Sequence, residues 1–141
     1  MNDVPDDVRR WPTREAIKSL SKRFGLPNLP DMQDWQWEVG EQSRVEELLA
    51  AYDSGGHPED EQFTLMEIMI ESFKDTGCPS QHPAWPRLLA RLDQRIGIHI
   101  STVWCWAGMG NALDNVYKVM PAMRQLLGKH QAAFQKPLPP E

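Results

Sequence analysis

The chain is poor in cysteine and has no long apolar run, and each shortage removes a class of protein. Two cysteines in 141 residues, Cys78 and Cys105, cannot form a disulfide framework, and isolated thiols suit a reducing compartment. The apolar stretches fall far short of the ~20 residues that cross a bilayer. The opening Met-Asn-Asp-Val-Pro-Asp-Asp has no basic segment leading into an apolar one, so a secretory signal is not expected. A cytoplasmic location is the expectation. A basic surplus is missing too: 15 Lys and Arg against 20 Asp and Glu give a net charge of -5, which disfavours nucleic acid or an anionic membrane as the main partner. No phosphate-binding glycine loop occurs, since Gly108-Met-Gly110 is too short to count. No Cys-x-x-Cys or Glu-x-x-His spacing occurs either, so no metal and no cofactor is expected.

What is present is ordinary for a globular protein, with 40% hydrophobic and 25% charged residues. A chain of this length buries roughly 70% of its unfolded surface around one core. A single helical domain over residues 1–141 is therefore expected, with residues 1–11 and 135–141 as loose tails.

Hydrophobic spacing points to helices throughout. Thr13 caps a first helix carrying Ala16, Ile17, Leu20 and Phe24 on one face, and Gly25 with Pro27 stops it. Ser43-Arg44-Val45-Glu46 reads as a capping box, in which the hydroxyl and the carboxylate each satisfy an orphan backbone N–H. Val45, Leu48, Leu49 and Tyr52 form the stripe behind it, and Ser54-Gly55-Gly56 ends that helix. A third helix, from about Pro58 to Thr76, has an apolar face broad enough to be central: Phe63, Met66, Ile70 and Phe73, with Leu65, Ile68 and Met69 beside them. Pro86 opens a fourth, with Trp85, Leu88, Leu89, Leu92 and Ile96 at helical spacing. Its polar stripe of Arg87, Arg91 and Arg95 is placed to pair with carboxylates of the acidic helices.

Ile98 to Trp106 is ambiguous, because β-branched residues and alternation suggest a strand while Ile96, Ile100, Val103 and Ala107 fit a helix. Helix is favoured. Pro121 opens the last helix, with Ala122, Met123, Leu126, Leu127 and Phe134 turned inward. The expected fold class is all-α, a compact bundle or short stack of about five to six helices in antiparallel hairpins.

Charge is unevenly distributed. Residues Asp31 to Asp75 hold thirteen acids against Arg44 and Lys74, a local charge of -11, whereas residues 1–30 carry +2 and residues 76–141 carry +4. The plain reading is that acidic helices fold against basic ones. The sharper reading is an acidic docking face, since a field of one sign accelerates capture of an oppositely charged partner by ~10 to 10³-fold. Six tryptophans are the compositional oddity. Trp85, Trp104 and Trp106 lie in apolar stretches and read as core, whereas Trp35 and Trp37 sit in a loop between Asp34 and Glu38, the pattern of aromatic anchors ringed by acids.

Catalytic readings find less support. Glu67 and Glu71 are four apart and could face one another, and with His99 they form the best carboxylate and histidine constellation available. The histidines His57, His82, His99 and His130 are far apart and read as structural. Neither Cys78 nor Cys105 lies in a nucleophile motif. A homo-oligomeric scaffold, joined through the broad apolar face of the third helix, is the other alternative.

The segments Asp34-Trp-Gln-Trp-Glu38-Val39, Phe63-Thr-Leu-Met-Glu-Ile-Met-Ile-Glu-Ser-Phe73 and His99-Ile-Ser-Thr-Val-Trp-Cys-Trp106 together resemble small helical bacterial proteins of toxin and immunity loci, over roughly residues 14 to 127. The resemblance implies a non-catalytic inhibitor that forms a tight complex with a cognate toxin domain and blocks its active site or substrate access. Toxin domains that act on nucleic acids need a basic cleft, so the expected contact residues are Asp34, Trp35, Trp37, Glu38, Glu59, Asp60 and Glu61, the carboxylates standing where phosphates would lie.

Overall fold

The computed structural model describes residues 9–26, 42–73, 79–107 and 119–134. Among them are six α-helices and no strand: α1 (Arg14–Phe24), α2 (Val45–Ser54), α3 (Glu59–Glu71), α4 (Trp85–Gln94), α5 (Ile96–Ala107) and α6 (Met120–Phe134). The fold is all-α, and residues 98–107 are helical.

Local chemistry explains most of the boundaries. The Thr13 hydroxyl accepts the Ala16 N–H at 3.0 Å, and Gly25 closes α1 with a left-handed φ of 65° that a Cβ would strain. Gly55 and Gly56, at φ 79° and 81°, turn the chain between α2 and α3. The start of α2 departs from the sequence expectation. A 3₁₀ turn, Gln42–Arg44, runs straight into it, and no side chain caps the first turn. Glu46, the expected capping carboxylate, pairs with Arg87 of α4 instead, while Arg44 binds Glu47 at 3.0 Å and donates to the Phe24 carbonyl at 2.8 Å. A tertiary partner thus takes the group that the local motif offered to the backbone.

α3 ends at Glu71, short of the expected Thr76; residues 74–78 lie outside the described residues. The Ser72 hydroxyl donates to the Ile68 carbonyl at 2.8 Å, a side-chain bond that competes with continued helix. Phe73 turns inward, with edge contacts to the His82 and Trp85 rings at 5.2 and 5.1 Å.

The core is built on α3, where every residue from Phe63 to Ile70 is buried. Val45, Leu48, Leu49 and Tyr52 of α2, Leu88 and Leu92 of α4, Ile100, Val103, Trp104 and Trp106 of α5, and Met123 and Leu127 of α6 complete it. Ala122 and Leu126 are partly buried against it; the Phe134 side chain lies outside the described residues. The broad apolar face of α3 is thus covered by the chain's own helices, and the self-association reading loses the surface it needed.

Polar contacts at both ends fix how α6 lies on α5. The Arg124 guanidinium donates to the Ala107 carbonyl at 2.6 Å near one end. At the other, Asp93 at the end of α4 takes His130 at 2.6 Å and Lys129 at 2.8 Å, so α5 and α6 run antiparallel. Lys129, with His130 beside it, holds the Asp93 carboxyl below the usual carboxylate range.

The arginine stripe of α4 behaves as expected at two of its three positions. Arg87 pairs with Glu46, and Arg91 grips Asp53 through two nitrogens at 2.6 and 3.2 Å. Arg95 departs from it: the guanidinium donates to Gln62 and lies 5.5 Å over the Tyr52 ring.

Candidate functional site

The first turn of α3 carries three of the expected contact residues, and the structure separates them. Glu59 and Asp60 face outward, their side chains 67% and 48% exposed. One guanidinium, that of Arg10, reaches both, at 3.4 and 3.7 Å, so two carboxylates share a single cation. Glu61 turns inward to His57 Nδ1 at 2.8 Å, and the Arg23 guanidinium of α1 lies 3.2 Å from Nε2 and 3.5 Å from Nδ1 of that ring. Glu61 therefore ties α1 to α3 and is not part of an open surface. Asp34, Trp35, Trp37 and Glu38 lie outside the described residues.

Arg10 is held where sequence reasoning expected a loose tail. The backbone N–H donates to Ser101 Oγ at 3.0 Å, and the guanidinium sits 5.8 Å over the Phe63 ring. The next residue, Trp11, is 63% exposed, with the Arg9 guanidinium 5.9 Å from its ring. Trp11 is the exposed large hydrophobic residue among those described, and sequence analysis missed it. It lies in a short irregular arm, where no periodicity marks which side of a residue meets water.

The acidic surplus as a continuous outward face needs correction. Glu46 and Asp53 are paired with Arg87 and Arg91 of the α4 stripe, and Glu47 with Arg44 three residues before it. Glu67 and Glu71 are buried. Glu46 and Glu47 stay half exposed but each has an arginine of its own, whereas the exposed Glu59 and Asp60 share one.

The interior holds the second polar feature. Tyr52 of α2 and His99 of α5 share a buried hydrogen bond of 2.7 Å between the phenol oxygen and Nε2. Burial, reinforced by the positive charges of Arg10 and Arg95, lowers the His99 pKa to about 3, so the ring is neutral. Burial also pushes the Tyr52 phenol up to about 12. The expected constellation of Glu67, Glu71 and His99 is divided accordingly: the two carboxyls are buried one turn apart on α3, Glu67 beside Thr102, and the histidine is engaged by Tyr52. Tyr52 was readable only as core, although a buried phenol generally takes a hydrogen-bond partner. Cys105, between buried Trp104 and Trp106, is exposed.

Among the described residues no group of three or more His, Cys, Asp or Glu is arranged to hold a metal, and no helix is long and apolar enough to cross a membrane. Neither a family model, nor a curated protein, nor a solved structure matches the chain.

Proposed function

We propose that this chain is a non-catalytic acidic binding protein, an immunity protein that neutralises a cognate bacterial toxin domain by covering its basic active-site cleft. The observation that carries the reading is an exposed indole, Trp11, on the residue that follows Arg10, whose guanidinium reaches the two exposed carboxylates Glu59 and Asp60. Tryptophan is the side chain most enriched among residues that dominate binding energy. An exposed ion pair is worth only ~0–1 kcal/mol, so the loose contacts of Arg10 leave both carboxylates able to accept a partner's lysine or arginine as well. Charge steers the encounter and the indole, once desolvated, slows dissociation.

The test uses the full chain with the toxin domain encoded beside it. Co-expression protects cells, and the purified proteins form a complex. Trp11→Ala weakens the complex by about thirtyfold or more, equivalent to ~2 kcal/mol. The reversal Glu59→Lys with Asp60→Lys slows association by about tenfold at low salt and flattens its salt dependence. A complex with affinity and rates unchanged in all these variants overturns the surface assignment, and failure to bind or protect overturns the function.

A further inference from the structure

Two carboxyl groups lie inside the helix array on one face of α3, and the proposed binding surface makes no use of them. Glu67 and Glu71 are one helical turn apart and 9% and 4% exposed. α5 packs along this helix. It presents Thr102, whose buried hydroxyl faces the Glu67 carboxyl without closing a hydrogen bond of ordinary geometry, and Cys105, whose thiol senses the Glu67 charge.

The other helices along α3 bring no counter-ion to Glu67. On α1, Arg14, Glu15, Lys18, Lys22 and Arg23 are exposed; on α2, Glu46, Glu47 and Asp53 are exposed, and Tyr52 is bound to His99. From the N-terminal arm, Arg10 engages Glu59 and Asp60, and Arg9 acts on Cys105. An ionised Glu67 therefore has little water and no cation among the described residues to stabilise it. Burial, opposed by the Thr102 hydroxyl and reinforced by the Glu71 charge, raises the Glu67 pKa to about 7.

We infer that the seam between α3 and α5 is a proton-operated latch, shut while the Glu67 carboxyl keeps its proton beside Thr102 and loosened when that proton passes to solvent. The arrangement sets a direction: the seam is tighter on the acid side of neutrality and looser on the alkaline side. Opening hydrates the carboxylate, which favours the open form once the proton has gone.

The experiment uses the full chain as wild type, Glu67→Gln, and Glu15→Gln as an exposed control. Amide hydrogen exchange of α3 and α5, corrected for the intrinsic pH dependence of exchange, gives the opening constant of the seam. The ratio of this constant in wild type to that in Glu67→Gln rises about tenfold between pH 6 and pH 8.5, while the ratio of wild type to Glu15→Gln stays constant. The ratio to Glu67→Gln cancels any contribution from His99, which both proteins keep. In parallel, the Glu67 side-chain carboxyl carbon of labelled wild type titrates near neutrality. A constant wild-type to Glu67→Gln ratio overturns the latch, and so does a carboxyl carbon that titrates in the ordinary carboxylate range. The second measurement needs only wild type, so it decides the matter even where the variant folds poorly.

Discussion

The Tyr52–His99 pair gives a prediction whose sign and size both follow from the structure. His99 is fully buried and neutral, with a pKa lowered from 6.5 to about 3. In the unfolded chain the same ring takes up a proton near pH 6.5. Between those values the unfolded state holds one more proton on this ring than the folded state, so the contribution of His99 to stability rises with pH through this window and is lost as pH falls through it. At ~1.4 kcal/mol per pH unit, the loss is about 5 kcal/mol over the whole window and about 3 kcal/mol between pH 6.5 and pH 4.5. The perturbation is the double substitution Tyr52→Phe with His99→Leu, which removes both hydrogen-bonding partners and strands neither. Urea unfolding at pH 7.5 and pH 4.5 measures the difference in stability between variant and wild type. That difference shifts by about 3 kcal/mol in favour of the variant on acidification. A difference that is the same at both values refutes a buried neutral His99.

Two further predictions concern stability at neutral pH. Arg91→Ala breaks the bidentate contact to Asp53, yet that pair lies at the surface and its loss costs under about 1 kcal/mol, whereas Leu88→Ala in the fully buried core costs about 2–5 kcal/mol; denaturant midpoints compare them directly. Gly25→Ala meets no atom within 4 Å but must adopt φ 65°, so it destabilises by about 1 kcal/mol through backbone strain alone, and a crystal structure of the variant shows neighbouring side chains unmoved.

Sequence periodicity located the helices because most of them bury a stripe that local spacing defines. Thr13 and Gly25 bound α1 by backbone chemistry that needs no tertiary partner, and the stripe Val45, Leu48, Leu49 and Tyr52 is buried as a unit. The capping box at Ser43 failed for the opposite reason: it is a local motif, and Glu46 found Arg87 forty-one residues away. The polar positions of α3 are another case that local spacing does not decide. Asp60, Thr64, Glu67 and Glu71 follow one another at helical spacing, and amphipathicity assigns such a stripe to water. The structure leaves only Asp60 at the surface, and buries Thr64, Glu67 and Glu71. No single-helix pattern reveals that burial, because it depends on what α5 and the helices beside it cover. Of the expected contact residues, Glu59 and Asp60 lie where an exposed helix start places them, and Glu61 is drawn inward by His57, a preference invisible in the charge run itself.

The buried carboxyl and the buried imidazole also make a joint prediction that neither makes alone. Glu67 has its pKa raised from 4.5 to about 7, so the folded chain holds the extra proton between those values, and stability falls as pH rises through them. His99 has the reverse sign between about 3 and 6.5. From pH 4.5 to 6.5 the two windows overlap. There the unfolded chain carries a charged imidazole and a charged carboxylate, while the folded chain carries both groups neutral, and the number of bound protons is the same. Folding then moves a proton from one site to the other without taking one up, and the contribution of these two groups to stability is level across the overlap. Removing either group uncovers the other. Glu67→Gln should gain stability as pH rises from 4.5 to 6.5, by about 3 kcal/mol, and the Tyr52→Phe with His99→Leu variant should lose about as much. Combining all three substitutions restores the level profile, at a different absolute stability. Urea unfolding at half-unit steps of pH distinguishes the four proteins, and parallel profiles for the two partial variants would show that the folded chain does not keep these groups neutral.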